Sequence, residues 1–256
     1  MTTAAQMRDR TALVTGGSSG IGAAVADALA RAGAHLVLVA RNGARLEQTA
    51  EGIRSRYGVT VTTIALDLAA QGAVGRLLER LEGDGVEVEL LVGNAALAPR
   101  GLVVEGDPAV LRRMVDLNVG ALTELTAAVT TGMVERGHGS VVVIASTGGS
   151  APTPVLAAYA ASKAYVLSFT QALWAETRHS GVRVVAVSPG PTRTPMNATV
   201  GRWGRRPEQV AATVLTALDG SGPSVVDGRG NAVAAAVLRL LPTRVVTALA
   251  LRVFTR

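Results

Sequence analysis

The sequence predicts a doubly wound α/β fold: a mostly parallel, seven-stranded sheet with helices on both faces. Three observations carry that expectation. Short apolar runs of Val, Leu and Ile alternate with Ala- and Leu-rich segments of helical spacing. The connections between them are short. No internal repeat, low-complexity linker or break in composition divides the 256 residues. Such alternation marks a parallel sheet whose strands are buried on both faces and joined by helical crossovers.

The elements follow in order. Thr11–Thr15 is a short buried strand, followed at once by a Gly-rich turn and an Ala-rich helix that runs to about Ala32 and stops at Gly33. His35–Ala40 is the second strand. Residues 42–57 place Leu46, Ala50 and Ile53 on one helical face. Val59–Leu66 is a strand ending at Asp67, and a helix covers about 70–82. The fourth strand, Glu89–Gly93, ends at Asn94. Asp107-Pro108 opens a long helical region that passes Asn118 and reaches about Arg136. Val141–Ile144 leads into Ser146, a Gly/Pro/Ser loop, and a helix beginning near Val155. Val182–Val187 is followed by Ser188-Pro189-Gly190-Pro191 and an irregular stretch to Pro207. A helix over about 207–218 and a strand at Ser224–Val226 complete the alternation. Residues 1–10 read as a polar tail, 11–230 as one domain, and 231–256 as an apolar, Arg-bearing helical extension broken at Pro242.

Composition narrows the function classes. Hydrophobic residues are 48% and charged residues 17%, ample for a core and against disorder. With aromatics at 3%, the core must be aliphatic. No cysteine is present, which excludes disulfides and thiolate metal sites and suits a reducing cytoplasm. His35, His138 and His179 are scattered, so no metal site is expected. The net charge of +6 comes from dispersed arginines without a basic tract, which argues against nucleic-acid binding. No apolar stretch reaches the ~20 residues that span a bilayer, so a soluble, cytoplasmic protein is expected.

Two motifs carry chemistry. Gly16-Gly17-Ser18-Ser19-Gly20-Ile21-Gly22 lies between a strand and a helix, where glycines let the backbone approach a pyrophosphate resting on the helix N-terminus. This makes the fold a Rossmann-type, dinucleotide-binding one. An acid at the end of the second strand would favour NAD(H) through the adenosine ribose. This chain has Ala40-Arg41 instead, and an arginine there suits a 2′-phosphate, hence NADP(H). The second motif is Ser146 with Tyr159 and Lys163. The latter two are four apart and share a helical face. A phenol titrates near 10. A neighbouring ammonium lowers that value and makes the group a usable acid or base, while a serine hydroxyl can support charge on a substrate oxygen. Lys163 is the only lysine among 25 Lys and Arg residues, as expected where a compact ammonium is required.

With these pieces in order, the chain resembles the short-chain dehydrogenase/reductase family, of its ordinary type with Tyr-x-x-x-Lys. The resemblance runs from about Thr11 to Val226 and includes Ser146 lying 13 residues before Tyr159. It implies that Tyr159 is the acid/base, that Lys163 binds the nicotinamide ribose and lowers the phenol pKa, and that Ser146 orients the substrate oxygen. It implies that Asn118 holds a helix kink and a water in a proton relay. Asp67, with Leu68 beside it, would meet the adenine, although Asp67 also reads as a helix N-cap. Asn94 and Ala95 would shape the cofactor cleft, and Pro189, Gly190 and Thr192 or Thr194 would border the nicotinamide. Ala96 departs from the family's Asn-Ala-Gly.

The resulting expectation is an NADPH-dependent carbonyl reductase, or the reverse alcohol dehydrogenase, acting as a homodimer or homotetramer. The alternatives are a 3-oxoacyl thioester reductase, an NAD-dependent alcohol dehydrogenase, and a non-catalytic nucleotide sensor. Arg202, Arg205 and Arg206 could meet an acidic carrier or a CoA phosphate. Leu97, Pro99, Pro152, Val155, Pro191 and Met196, with Trp203 as a further candidate, form an uncharged pocket wall, and Thr147, Gly148 and Gly149 leave room beside Ser146. That predicts a neutral, apolar substrate unless Arg100, Arg193 or Arg202 turns inward. For residues 231–256, a helix packed on its own fold or on a partner subunit is the simpler reading, and a membrane surface is the alternative.

Overall fold

The structure is a computed structural model and describes residues 7–198 and 200–254. Residues 1–6 of the N-terminal tail and residues 255–256 of the extension lie outside the described residues.

Seven strands form one sheet: β1 (Thr11–Thr15), β2 (His35–Ala40), β3 (Val61–Ala65), β4 (Leu90–Gly93), β5 (Gly139–Ile144), β6 (Val182–Ser188) and β7 (Ser224–Val226). Their order is β3-β2-β1-β4-β5-β6-β7, and every neighbouring pair is parallel. The expected "mostly parallel" sheet is thus wholly parallel among the described residues.

The crossovers divide between two faces. Helices α1 (Gly20–Arg31), α2 (Gly43–Tyr57) and α7 (Pro207–Asp219) cover one side, with Leu29, Leu46, Ile53 and Val214 buried against Val14, Leu38 and Val92. On the other side lie α3 (Ala73–Gly83), α4 (Pro108–Val115), α5 (Leu122–Arg136) and α6 (Ala157–Thr177). There Leu77, Leu125, Met133 and Val166 pack on Leu13, Val37, Leu91 and Val143. The strands are aliphatic throughout because both of their faces are covered.

Strand order reverses between β1 and β4, so the chains leaving their C-terminal ends part to opposite faces and open a crevice. Thr15, Asn94, Ser146 and Pro189 all stand at that edge, just inside or past the ends of β1, β4, β5 and β6.

Element bounds differ from expectation in instructive places. The helix bearing Tyr159 begins at Ala157, two residues late, because Val155 adopts φ 68°, a left-handed conformation that cannot continue a helix. The region from Asp107 to Arg136 is continuous but contains a π-helical stretch, Asp116–Ala121, around Asn118. Beyond β7, the extension forms α8 (Arg229–Leu240) and α9 (Thr243–Phe254), separated at Leu241-Pro242. No helix among the described residues is long and apolar enough to cross a membrane.

Candidate active site

The Gly-rich turn is a cradle shaped by the absence of side chains. Gly16 adopts φ +70°, and its amide donates to Val39 O at 2.7 Å, tying the turn to β2. A Cβ on Gly22 would lie 2.3 Å from Gly16 O and 2.5 Å from Asn94 Nδ2, so only glycine fits there. Gly20 has φ +56° and faces Thr194. Ser19 is the N-cap of α1 but makes no side-chain cap, and the first turn holds no acid. Its first amides are available to an anion, and the helix dipole favours one. Ser18, Ser19 and Ile21 are half-buried along the same turn. The donor set and the unfilled space fit a dinucleotide pyrophosphate.

Asn94 locks this cradle to the neighbouring strand. Its Nδ2 donates to Thr15 O at 2.9 Å, and its own amide and that of Ala95 donate to Thr15 Oγ1 at 2.9 and 3.0 Å. Arg41 stands exposed just beyond β2 and forms no ion pair among the described residues.

Asp67 is more engaged than the sequence suggests. One oxygen accepts from Ala69 N at 3.1 Å, an Asx turn ahead of α3. The other pairs with Arg113 of α4. Leu68 turns its side chain into the core.

Asn118 sits buried in the π-helical stretch and staples two elements. It accepts from Leu97 N at 2.8 Å, and its Nδ2 donates to Leu97 O at 2.9 Å and to Ser162 Oγ at 3.1 Å. Ser162 in turn donates to Tyr159 O at 2.7 Å. The loop after β4 and the first turns of α6 are therefore held to one side chain.

Ser146, Tyr159 and Lys163 converge as the spacing predicts. Ser146 and Tyr159 meet at Gly148, where an added Cβ would lie 3.4 Å from Ser146 Oγ and 3.8 Å from Tyr159 Cε1, and Ser146 Oγ accepts from Gly148 N at 3.0 Å. Lys163 is 4% exposed; its Nζ donates to Ile144 O at 2.7 Å and stands 5.9 Å from the Tyr159 ring centroid. Burial pulls its pKa down to about 8. The phenol departs from expectation. Burial raises its pKa, and the nearby Ser146 hydroxyl offsets only part of that. The physical reason is that the ammonium is bonded to a strand carbonyl rather than to the phenol oxygen.

The pocket wall also differs from expectation. A Cβ on Gly148 would lie 3.4 Å from Ser146 Oγ and 3.8 Å from Tyr159 Cε1, so this glycine does leave room at the site. A Cβ on Gly149 would lie 2.6 Å from the Lys163 carbonyl carbon, so Gly149 instead lets the loop lie against α6. Trp203 is 75% exposed and Met196 is exposed too. Arg193 does not face the pocket with a free guanidinium: it donates to Gly204 O at 2.9 Å and to Arg202 O. Arg205 is likewise committed, with Nε and Nη2 donating to the fully buried Asp227 at 2.8 and 2.6 Å. It is not available to a carrier or a CoA phosphate.

A profile of the short chain dehydrogenase family matches residues 10–205. The chain belongs to the short-chain dehydrogenase/reductase family. Among solved structures, a short-chain dehydrogenase from Sphingobium yanoikuyae in complex with NADPH is 34% identical, with a TM-score of 0.80 over 90% of this chain and 94% of that one. The bulky-bulky ketone specific alcohol dehydrogenase from Comamonas testosteroni is 33% identical, with a TM-score of 0.79 over 90% and 93%. The human very-long-chain 3-oxoacyl-CoA reductase is 34% identical over 182 residues, which are 70% of this chain and 58% of that protein.

Within this member of the short-chain dehydrogenase/reductase family, four structural partners escaped the sequence reading. Thr15 opens the Gly-rich motif in the sequence, but its grip on Asn94 and Ala95 has no sequence signal, and Ser162 reads only as the residue before Lys163. Asp227 and Asn231 gave no signal. Asn231 lies so close to Gly190 that a Cβ there would be 2.3 Å from its amide, and its Nδ2 donates to Asp227 O at 2.7 Å. Pro189 and Thr192 are buried beside them, and Thr192 Oγ1 donates to Gly190 O at 2.9 Å. The region expected to border a nicotinamide is thus braced from behind by the start of α8.

Proposed function

We propose that this protein is an NADPH-dependent reductase of neutral, mainly apolar ketones or aldehydes, with residues 11–230 as its catalytic domain. The observation that carries the reading is the meeting of Ser146 and Tyr159 at Gly148, beside a buried Lys163, at the edge that also holds the Gly16–Gly22 cradle. The Gly16–Gly22 cradle would hold a nicotinamide dinucleotide, which would supply the hydride and, once oxidised, a positive charge. Tyr159 Oη gives its proton to the carbonyl oxygen, and Ser146 Oγ donates a hydrogen bond to the same oxygen as charge develops. Lys163 carries the positive charge that stabilises the phenolate left behind. Asn118 keeps the loop at Leu97 and the first turns of α6 in register.

Arg41, exposed and without an ion-pair partner among the described residues, supports NADP(H) over NAD(H). The NADPH complex of the Sphingobium relative supports the same choice. The engagement of Arg193 with its own loop supports a neutral substrate, as does the ketone specificity named for the Comamonas enzyme. A second reading, reduction of 3-oxoacyl thioesters, is favoured by the human relative. We further read the protein as a cytoplasmic homodimer or homotetramer. Tyr165, exposed on α6 and stacked on Phe169 with centroids 5.8 Å apart, supports a covered helix face.

The test is NADPH oxidation across apolar ketones, aldehydes, acyl thioesters and small keto acids. Apolar ketones should give the highest kcat/KM. Tyr159→Phe should lower turnover by about 10²–10⁴-fold while NADPH binding, followed by cofactor fluorescence, is kept. Near-normal turnover in that variant would refute the assignment.

A further inference from the structure

The helices beyond β7 have two apolar sides. Inward, α8 packs against the Thr147–Ser150 turn, with Asn231 on Gly190 and Ala235 buried, and α9 buries Val246. Outward, Val233, Val237 and Leu240 recur at i, i+4 and i+7 on one stripe of α8 and are 65%, 49% and 86% exposed. Val245 and Leu249 continue an exposed apolar stripe on α9. A helix apolar on its outer as well as its inner face is built for a neighbour other than water.

Charge identifies the neighbour. Residues 229–256 contain Arg229, Arg239, Arg244, Arg252 and Arg256 and no acid. The first four are exposed, and none forms an ion pair among the described residues. A second copy docking through this face about a two-fold axis would set the same surface against itself, arginine against arginine, with no acid in the segment to neutralise it. The fitting occupant is apolar within and negatively charged at its boundary. We propose that α8 and α9 dock on the surface of an anionic lipid bilayer, their outer apolar stripes at the acyl boundary and their arginines among the headgroups. The interaction is peripheral, and it does not depend on the substrate assigned above.

The experiment is co-sedimentation of the full chain with vesicles of phosphatidylcholine alone, and with vesicles in which about a third of the lipid is phosphatidylglycerol. The protein should sediment with the anionic vesicles at low salt, bind them about tenfold more strongly than the neutral ones, and be released by high salt. The double variant Leu240→Asp/Leu249→Asp should lose this binding with an unchanged melting curve, because both side chains are exposed. Should that variant unfold, Arg239→Gln/Arg244→Gln carries the test and should weaken anionic binding about tenfold. Absence of sedimentation with anionic vesicles overturns the proposal, as does equal binding to neutral ones or binding indifferent to these substitutions. A fall in light-scattering mass for Leu240→Asp/Leu249→Asp, with no vesicle binding by the parent, assigns the face to a second copy instead.

Discussion

Replacing Lys163 by Met should make the cofactor-free protein more stable while destroying its proposed chemistry. The ammonium is buried, and burial alone holds its pKa at about 8 against an ordinary 10.5. That difference corresponds to about 3 kcal/mol of unfavourable burial at neutral pH. The hydrogen bond to Ile144 O offsets part of it, since a charged donor contributes roughly 1.5–3 kcal/mol. Met fills similar volume without a charge, so a gain of about 1–3 kcal/mol is expected below pH 8. For a chain of this size each kcal/mol raises Tm by about 2–4 °C. The sign with pH follows from proton counting. Between pH 8 and 10.5 the unfolded lysine holds a proton that the folded one has released, so wild-type stability rises with pH in that window. The cost is fully present below pH 8 and gone above 10.5. Tm of both proteins should be measured from pH 6.5 to 10.5, and the difference taken at each pH, so that other titrating groups cancel. The variant should lead at pH 7, and its lead should close as pH rises. A variant less stable at pH 7, or a difference flat across the range, would refute the argument.

Other perturbations test separate contacts. Arg41→Ala should weaken NADPH binding about ten- to hundredfold, the worth of a charge-assisted phosphate contact, with little effect on NADH; equal losses by titration calorimetry would dismiss a 2′-phosphate role. Arg205→Met leaves Asp227 buried without its cation. It should cost about 3 kcal/mol, the low end for a broken buried pair because the arginine is 30% exposed, and a Tm within 2 °C of wild type would count against a structural clamp. Gly149→Ala forces a methyl into the Lys163 backbone and should destabilise by about 1–3 kcal/mol with a larger loss in kcat than in NADPH affinity; an unchanged kcat would mean that the loop and α6 yield without moving Ser146 from Tyr159.

The sheet was legible because burial on both faces leaves a continuous aliphatic run at each strand, and because Gly33, Gly58 and Gly137 stop their helices or turns with positive φ. The site was legible wherever its parts are neighbours in sequence. Gly16 to Gly22 is one turn, and Tyr159 and Lys163 are one helical turn apart. What stayed hidden depends on contacts between distant positions. Arg113 reaches Asp67 across 46 residues, and Arg205 reaches Asp227 across 22. Neither pair has a local pattern: Asp67 reads as an adenine contact or a helix N-cap and Arg205 as a partner for an external anion, and nothing near either one names its true partner. Val155 misled for a different reason. A β-branched residue argues against a left-handed backbone, and here the tertiary setting, including the hydrogen bond from Gly101 N to Val155 O, prevails. Gly149 reads from sequence as open space and proves to be a packing contact, because what a missing Cβ avoids is decided by another element.

These long-range contacts divide the site into a rigid part and an adjustable one. Thr15 holds Asn94 and Ala95, Asn118 holds Leu97 and Ser162, and Ile144 holds Lys163, so the groups proposed to handle the proton are fastened to strand ends. The segment after β6 is fastened differently. Gly190 abuts Asn231 at one end, and at the other Arg205 is clamped to Asp227, which Thr213 also contacts at 2.6 Å. Between these anchors, Arg193 draws the carbonyls of Arg202 and Gly204 together, while Met196 and Trp203 remain exposed. Substitution at Met196 or Trp203 therefore changes what the segment presents to a substrate without touching an anchor or a proton-handling group. Substrate preference is expected to move with those two side chains, in kcat/KM ratios between large and small ketones, whereas the pH dependence of turnover should stay with Tyr159 and Lys163.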